Sequence, residues 1–483
     1  MNTITTGFCR VTVVTPDRRI DVALPEDVPL ADVYPEVLRL ARATQPDGTP
    51  TGFHLVRRDG TVLDSSLSLA AQQIRDGELL ALRPFAESLP PAVYDDVADA
   101  IAGAVMADRR FWSPELMRAF GLTGATVLLT LLAFALWFSA LRHDMHGLPG
   151  ILAGVTAVVL TALAGVRARV YRDAQAALAL GLGALPHAVI AGSGVLAVTH
   201  PGGGPGRLQF LVGCVTVLVT AVLLVGLLPE RDAVFVAAAL VATAGALAAF
   251  AAVLLPGTPA GHIAAVTGVA AVAAIGFLPG LSARFARLPV GFSAPGQART
   301  RSRGSEEEGR DETVQYERIA QQARRGHEVL VGLVGGCAAV AVGACTVLGF
   351  TDGVFPELLA LAIGLATMLR ARLFRYTAQV LGLTVAGLLG LSLLVVGLSL
   401  HTPRFIRTAA GATDVDLRTV WLACAIALGA AVLTAIALVV PRLGVSPFWG
   451  RILDLVDGLT LITLVPLALA VLDVYRLVRG ATG

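Results

Sequence analysis

From about residue 119 onward the chain alternates between apolar blocks of roughly 20 residues, the length that crosses a bilayer's hydrocarbon core, and short polar breaks. Spans are predicted at Ala119–Leu141, Leu148–Val166, Ala174–Val198, Leu208–Leu228, Ala233–Leu255 and Gly261–Leu281. After one long polar interruption come Val329–Phe350, Val354–Leu369, Ala378–Leu400, Thr419–Val440 and Leu453–Tyr475, eleven spans in all. Pro149-Gly150, Pro256-Gly257, Pro279-Gly280 and the run Pro201–Gly206 punctuate them. The interruption, Ser282–His327, carries nine arginines. Within it Asp311–Arg325 places acids first and arginines last, with Val314, Ile319 and Ala323 as an apolar stripe. That order suits a helix dipole and predicts a helix leading into the seventh span, preceded by a flexible segment over Gly296–Gly309.

The polar N-terminal region follows shorter periods. Phe8–Thr15 alternates as a strand, Pro16-Asp17-Arg18-Arg19 supplies a turn, and Ile20–Leu24 returns as a second strand. Pro29–Thr44 reads as a helix with Leu30, Val33, Val37, Leu38 and Ala41 on one face, with Pro35 as a kink or a first-turn residue. Phe53–Arg57 and Thr61–Leu63 flank Arg58-Asp59-Gly60 as a hairpin. A short helix over Leu67–Ile74, a turn at Asp76-Gly77 and a strand over Glu78–Arg83 complete the order ββαββαβ, that of a ubiquitin-like β-grasp domain. Arg83-Pro84 continues toward the first span with no conjugating tail, so a docking module is expected. Leu89-Pro90-Pro91 marks a linker, and Tyr94–Arg110 reads as an amphipathic helix. The expected organisation is a ubiquitin-like domain at 1–88, a linker at 89–118, six spans within 119–281, the basic loop at 282–327, and five spans with a short tail at 328–483.

Composition agrees with this division. Of the 483 residues, 55% are hydrophobic and only 15% charged, and mean hydropathy is +0.74; a soluble protein carries about 25% charged residues. The fold class expected is an α-helical polytopic membrane protein with an N-terminal α+β domain. Net charge is +2, which gives no reason to expect nucleic-acid binding, and with no lysine a P-loop is excluded. The wealth of Ala, Val, Leu, Gly and Arg points to a GC-rich bacterial genome. No CxxC pair occurs among the five cysteines, and no basic-then-apolar leader opens the chain.

Arginine placement sets the expected orientation. With the N-terminus inside, 21 arginines of the loops and flanks fall inside and 7 outside. The C-terminus would then lie outside. Arg167-Ala168-Arg169-Val170-Tyr171-Arg172 follows the second span, and Arg370-Ala371-Arg372-Leu373-Phe374-Arg375 follows the eighth. Each is soon followed by an Ala-Gln pair, Ala174-Gln175 and Ala378-Gln379. Six spans separate the copies, so they face the same way and predict a parallel internal repeat.

Candidate chemistry is sparse. Asp454 and Asp457 begin the last span, Asp473 ends it, Glu357 lies near one end of the eighth, and His262 begins the sixth. His187, beside Pro186, is the ionisable residue placed near the middle of a span. A membrane histidine of this kind serves most often as a helix-packing hydrogen bonder. Ala191-Gly192-Ser193-Gly194 is similar to the Gly-x-Ser-Gly of rhomboid proteases but lacks the first glycine, and helix packing explains it better. No zinc or nucleotide motif occurs, so no catalytic, cofactor-binding or metal-binding residue is assigned and no enzyme activity is expected.

A ubiquitin-like domain, the phrase Asp27-Val28-Pro29-Leu30-Ala31-Asp32-Val33-Tyr34-Pro35, a linker with Leu89-Pro90-Pro91-Ala92-Val93-Tyr94-Asp95-Asp96-Val97, and eleven spans together resemble EccD. EccD is the multispanning component of actinobacterial type VII (ESX) secretion systems. The resemblance implies a structural, membrane-channel role in the plasma membrane. It further implies a homodimer around a lipid-filled vestibule. The ubiquitin-like domain would dock onto the FtsK/SpoIIIE-like ATPase EccC, with EccB and, where present, EccE as neighbours. The alternative, from the repeat and the Pro-interrupted third span, is a secondary transporter.

Overall fold

The computed structural model describes residues 7–15, 19–41, 53–57, 59–84, 113–139, 145–197, 206–228, 232–285, 307–400, 412–443 and 446–482. Two compact units form, Met1–Phe111 and Trp112–Gly483. The predicted helix Tyr94–Arg110 and the turn residues Pro16–Arg18 lie outside the described residues.

In the first unit, β1 (Phe8–Val14) and β2 (Arg19–Pro25) form an antiparallel hairpin with Phe8 opposite Pro25 and Val14 opposite Arg19. β3 (Phe53–Arg57) and β4 (Leu79–Pro84) are also antiparallel, and β4 runs parallel to β1, giving the order β2-β1-β4-β3. Alternation along β1 turns Cys9, Val11 and Val13 inward, where they meet Leu55, Leu80 and Leu82 and the face of α1 (Leu30–Ala41) carrying Leu30 and Val37. Pro35 sits inside α1, beyond the first turn, and the helix continues through it. The Tyr34 hydroxyl accepts the Leu55 N–H at 2.9 Å, tying the helix to the sheet.

Two local expectations are corrected here. Leu67–Ile74 is a series of turns, not a helix. The Gln72 side chain takes both the N–H (2.8 Å) and the C=O (2.9 Å) of Asp64, and Ala70 N–H bonds Glu26 O at 3.1 Å. Backbone partners outside the segment thus replace helical ones. Thr61–Leu63 contributes a single bridge, Val56 to Val62, not a full strand. The Gly60 turn beside it has φ +91°, which glycine adopts without penalty.

The second unit is a helical bundle. Its helices are α2 (Pro114–Ser139), α3 (Leu148–Arg169), α4 (Ala174–Ser193), α5 (Arg207–Leu227), α6 (Ala233–Leu254), α7 (Ala260–Ile275), α8 (Leu278–Phe285), α9 (Glu307–Gly349), α10 (Val354–Leu369), α11 (Thr377–Leu400), α12 (Ala412–Leu443), α13 (Pro447–Val471) and α14 (Val474–Thr482). Ten helices among the described residues are long and apolar enough to cross a bilayer, and α7 is a shorter apolar one. The chain is thus a polytopic helical membrane protein with a small α+β unit before it.

The predicted sixth span, Gly261–Leu281, is broken in two. Pro279 has no N–H for the carbonyl four residues back, so α7 ends at Ile275 and α8 restarts with the proline in its first turn. The eleventh, Leu453–Tyr475, is shifted. α13 starts at Pro447 and stops at Val471, Asp473 takes φ +57°, and Tyr475 belongs to α14. The third ends at Ser193, short of Val198. The helix expected before the seventh span is present and fuses with it. α9 runs unbroken for 43 residues, about 65 Å at 1.5 Å per residue, and takes in Glu307-Glu308-Gly309, which the flexible segment was expected to include.

Close approach at glycine holds the bundle. Gly387 faces Gly364 and Met368 across α10 and α11, and Gly397 faces the backbone of Gly349 across α9 and α11. One core gathers Ala264, Val272, Cys345, Leu359, Ile363 and Leu464 from α7, α9, α10 and α13. α4 packs on both α2 and α3, and α11 packs on both α9 and α10, so the first three helices of each half share one packing order. The fourth members diverge: α5 packs between α4 and α6, whereas α12 exposes nearly every described residue.

Candidate functional site

Most of the bundle's ion pairs lie at one end, where arginines join helix termini. Arg118 at the start of α2 pairs with Asp173 at 2.5 Å, and Asp173 also caps α4 by accepting the Ala176 N–H at 3.1 Å. Arg169, at the end of α3, donates to Leu227 O (2.8 Å) and Gly226 O (2.6 Å). These are last-turn carbonyls of α5, which its own helix leaves unpaired. Arg325 of α9 pairs with Asp232, a fully buried carboxylate before α6. Arg372 pairs with Asp454 at 3.0 Å and donates to Gly450 O at 3.1 Å, holding the start of α13.

Arg169 and Arg372 occupy the same place in the two copies of the motif, and both bind an arginine-rich loop to the end of a more distant helix. The copies differ beyond that. Arg172 takes φ +52° in the first, whereas Arg370–Leu373 forms a 3-10 turn in the second. Tyr171 is exposed, and its counterpart Phe374 is buried.

The residues singled out for chemistry do not converge. His187 is fully buried in α4, and its Nδ1 lies 2.7 Å from Gly183 O one turn back. A carbonyl only accepts, so Nδ1 is the donor in this contact, and Nε2 has no hydrogen bond among the described residues. Asp454 is taken by Arg372, and Asp473 faces Arg476 at 3.6 Å. Asp457 is half-buried in α13, Glu357 lies in the first turn of α10, and His262 in the first turn of α7.

Ala191-Gly192-Ser193-Gly194 is a packing surface. A Cβ on Gly192 would strike the Thr216 hydroxyl at 2.1 Å, and one on Gly194 would strike Met145 O at 2.3 Å. Among the described residues no three of His, Cys, Asp and Glu gather closely enough to hold a metal ion. An apolar groove of about 480 Å³ runs between α5, α6, α7 and α9, lined chiefly by alanine, glycine and valine. The Asp232–Arg325 pair spans 93 residues of sequence, and nothing local marks its members as partners.

Comparison with known proteins agrees with this architecture. Residues 117–481 match the family described as EccD-like transmembrane domain, and residues 8–82 match the WXG100 protein secretion system (Wss) protein YukD. The chain is 28% identical to the ESX-4 secretion system protein eccD4 of Mycobacterium tuberculosis, over 99% of its own length and 98% of the relative's. It is 29% identical to the ESX-3 secretion system protein EccD3 of the same species, over 50% of this chain and 52% of that one. In fold it is similar to protomer 1 of the ESX-3 core complex, with TM-score 0.58 and 21% identity over 98% of this chain and 100% of that one. A second likeness is to the MycP5-free ESX-5 inner membrane complex, with TM-score 0.52 and 21% identity over 88% and 99% of the two chains. With the family's transmembrane domain matched from the first described span to the last, this chain belongs to the EccD family.

Proposed function

We propose that the chain is the multispanning scaffold and membrane-channel component of a type VII secretion complex, with no catalytic chemistry of its own. The observation that carries this reading is its likeness, over 99% of its length, to an ESX-4 secretion system protein. The bundle supports it, because most of its arginine contacts join helix ends while its middle, His187 apart, is chiefly apolar. Under this reading the ubiquitin-like unit docks an EccC-type ATPase, EccB and, where present, EccE are neighbours, and two copies enclose a lipid-filled vestibule. The exposed apolar sides of α2 and α12 supply surface for a second copy or for lipid. The arginine-rich end faces the cytoplasm together with the N-terminus, and the C-terminus lies outside. The transporter reading loses support because His187 is bonded within its own helix.

Affinity purification from the native host tests the reading. The tagged full-length protein is expected to bring down an FtsK/SpoIIIE-like ATPase. Solubilised protein that repeatedly comes down alone would sink it. Reporter fusions at the two termini test the orientation and should report opposite sides.

A further inference from the structure

The two copies of the arginine motif are used differently. In the second, Arg372 is spent on Asp454 and Gly450, and Arg370 lies against Gly276, with Nη1 3.0 Å from where a Cβ would sit. In the first, only Arg169 is spent on the fold. Arg167 lies over the Tyr171 ring at 5.0 Å, and neither it nor Arg172 pairs with a carboxylate among the described residues. Both face an open pocket of about 580 Å³ at the arginine-rich end, where α2, α3 and α4 meet. Glu115, Arg118 and Asp173 complete the charged lining, and Arg118 and Asp173 neutralise each other at 2.5 Å. Two arginines therefore stand against one remaining acid.

The pocket opens beside apolar surface. Leu163 of α3, one turn before Arg167 on the same face, is exposed, as are Val166 next to Arg167 and Met117 next to Arg118. A soluble anion would have no use for that flank. A phospholipid would, because its chains can lie along it while its phosphate meets the guanidinium groups.

We propose that this pocket holds the headgroup of an anionic phospholipid from the leaflet on the arginine-rich side. Arg167 and Arg172 bind its phosphate. The Tyr171 ring holds Arg167 in place, and the left-handed turn at Arg172 carries that side chain to the pocket mouth. The inference stands apart from the secretion role, since it concerns a single chain and its bilayer.

Native mass spectrometry of the full-length protein, titrated separately with cardiolipin, phosphatidylglycerol and phosphatidylethanolamine, tests it. The anionic lipids should bind in preference to the zwitterionic one, and Arg167→Gln with Arg172→Gln should weaken cardiolipin binding roughly tenfold or more. Arg375→Gln with Arg451→Gln removes equal charge at the same end and should leave binding unchanged. Equal binding of all three lipids would overturn the proposal, as would equal loss in both double variants. Full competition by soluble glycerol phosphate would do so too, and so would crosslinking of the pocket to an acidic protein segment without lipid selectivity. A thermal-shift measurement on delipidated wild-type protein gives an answer that needs no variant. Cardiolipin should raise the unfolding temperature more than phosphatidylethanolamine, and the reverse order counts against the site.

Discussion

At the residue scale, the Asp232 carboxylate shows what burial demands of a charge. It is removed from solvent, and Arg325 is its ion-pair partner. Replacing Arg325 by Ala leaves the carboxylate buried and unpaired, a change that costs about 3–5 kcal/mol in such pairs. Arg325→Ala is therefore expected to unfold well before the wild type in a thermal scan, and adding Asp232→Ala should recover part of the loss. If the double variant is no better than the single, the pair is not what holds the α9–α6 contact.

A milder case lies in the ubiquitin-like unit. The Asp64 carboxylate accepts from the Ser66 hydroxyl at 2.7 Å and the Ser66 N–H at 2.9 Å, and these bonds hold its pKa below the usual carboxylate value. A depressed folded-state pKa contributes stability above the unfolded-state value, roughly 3.9, and loses it as pH falls through the folded value. Carbon-detected NMR titration should place Asp64 below that figure, and Ser66→Ala should move it upward.

At the scale of elements, glycine contacts make sharp and opposite predictions. A Cβ on Gly397 would lie 2.5 Å from Gly349 O, a backbone atom that cannot swing aside, so Gly397→Ala should destabilise by about 1–3 kcal/mol. Gly382 in the same helix α11 has nothing within 4 Å of such a Cβ, and Gly382→Ala should be neutral or slightly stabilising in the same unfolding assay. The elements themselves were largely readable in the sequence, because a bilayer demands about 20 apolar residues in a row and few other structures do. The failures have local causes. Pro279-Gly280 lies inside the span expected at Gly261–Leu281, and the proline ends one helix there and starts a second. Leu67–Ile74 has helical spacing, but the Gln72 side chain bonds both the N–H and the C=O of Asp64 and displaces the helical pattern. The rim contacts join positions as far as 93 residues apart, and periodicity carries no information about such pairs.

At the scale of the whole molecule, the shared packing order of α2–α4 and α9–α11 favours an internal duplication. Superposing one trio on the other should bring Arg169 onto Arg372, and a mismatch of those positions would remove the argument. Because α9 begins at Glu307, deletion of residues 297–305 should leave the bundle folded and its co-purifying partners unchanged. The length of α9 has a mechanical consequence. The helix is held among five others, while its polar start continues the same rod without proline. Such a rod is a lever with its fulcrum at the Arg325–Asp232 contact. Over an arm of about 25 Å, a tilt of roughly 10° moves the far end by some 4 Å, most of one helical pitch. Force applied at the polar end would therefore reach the bundle through the helix that contacts α6, α7, α8, α10 and α11 at once.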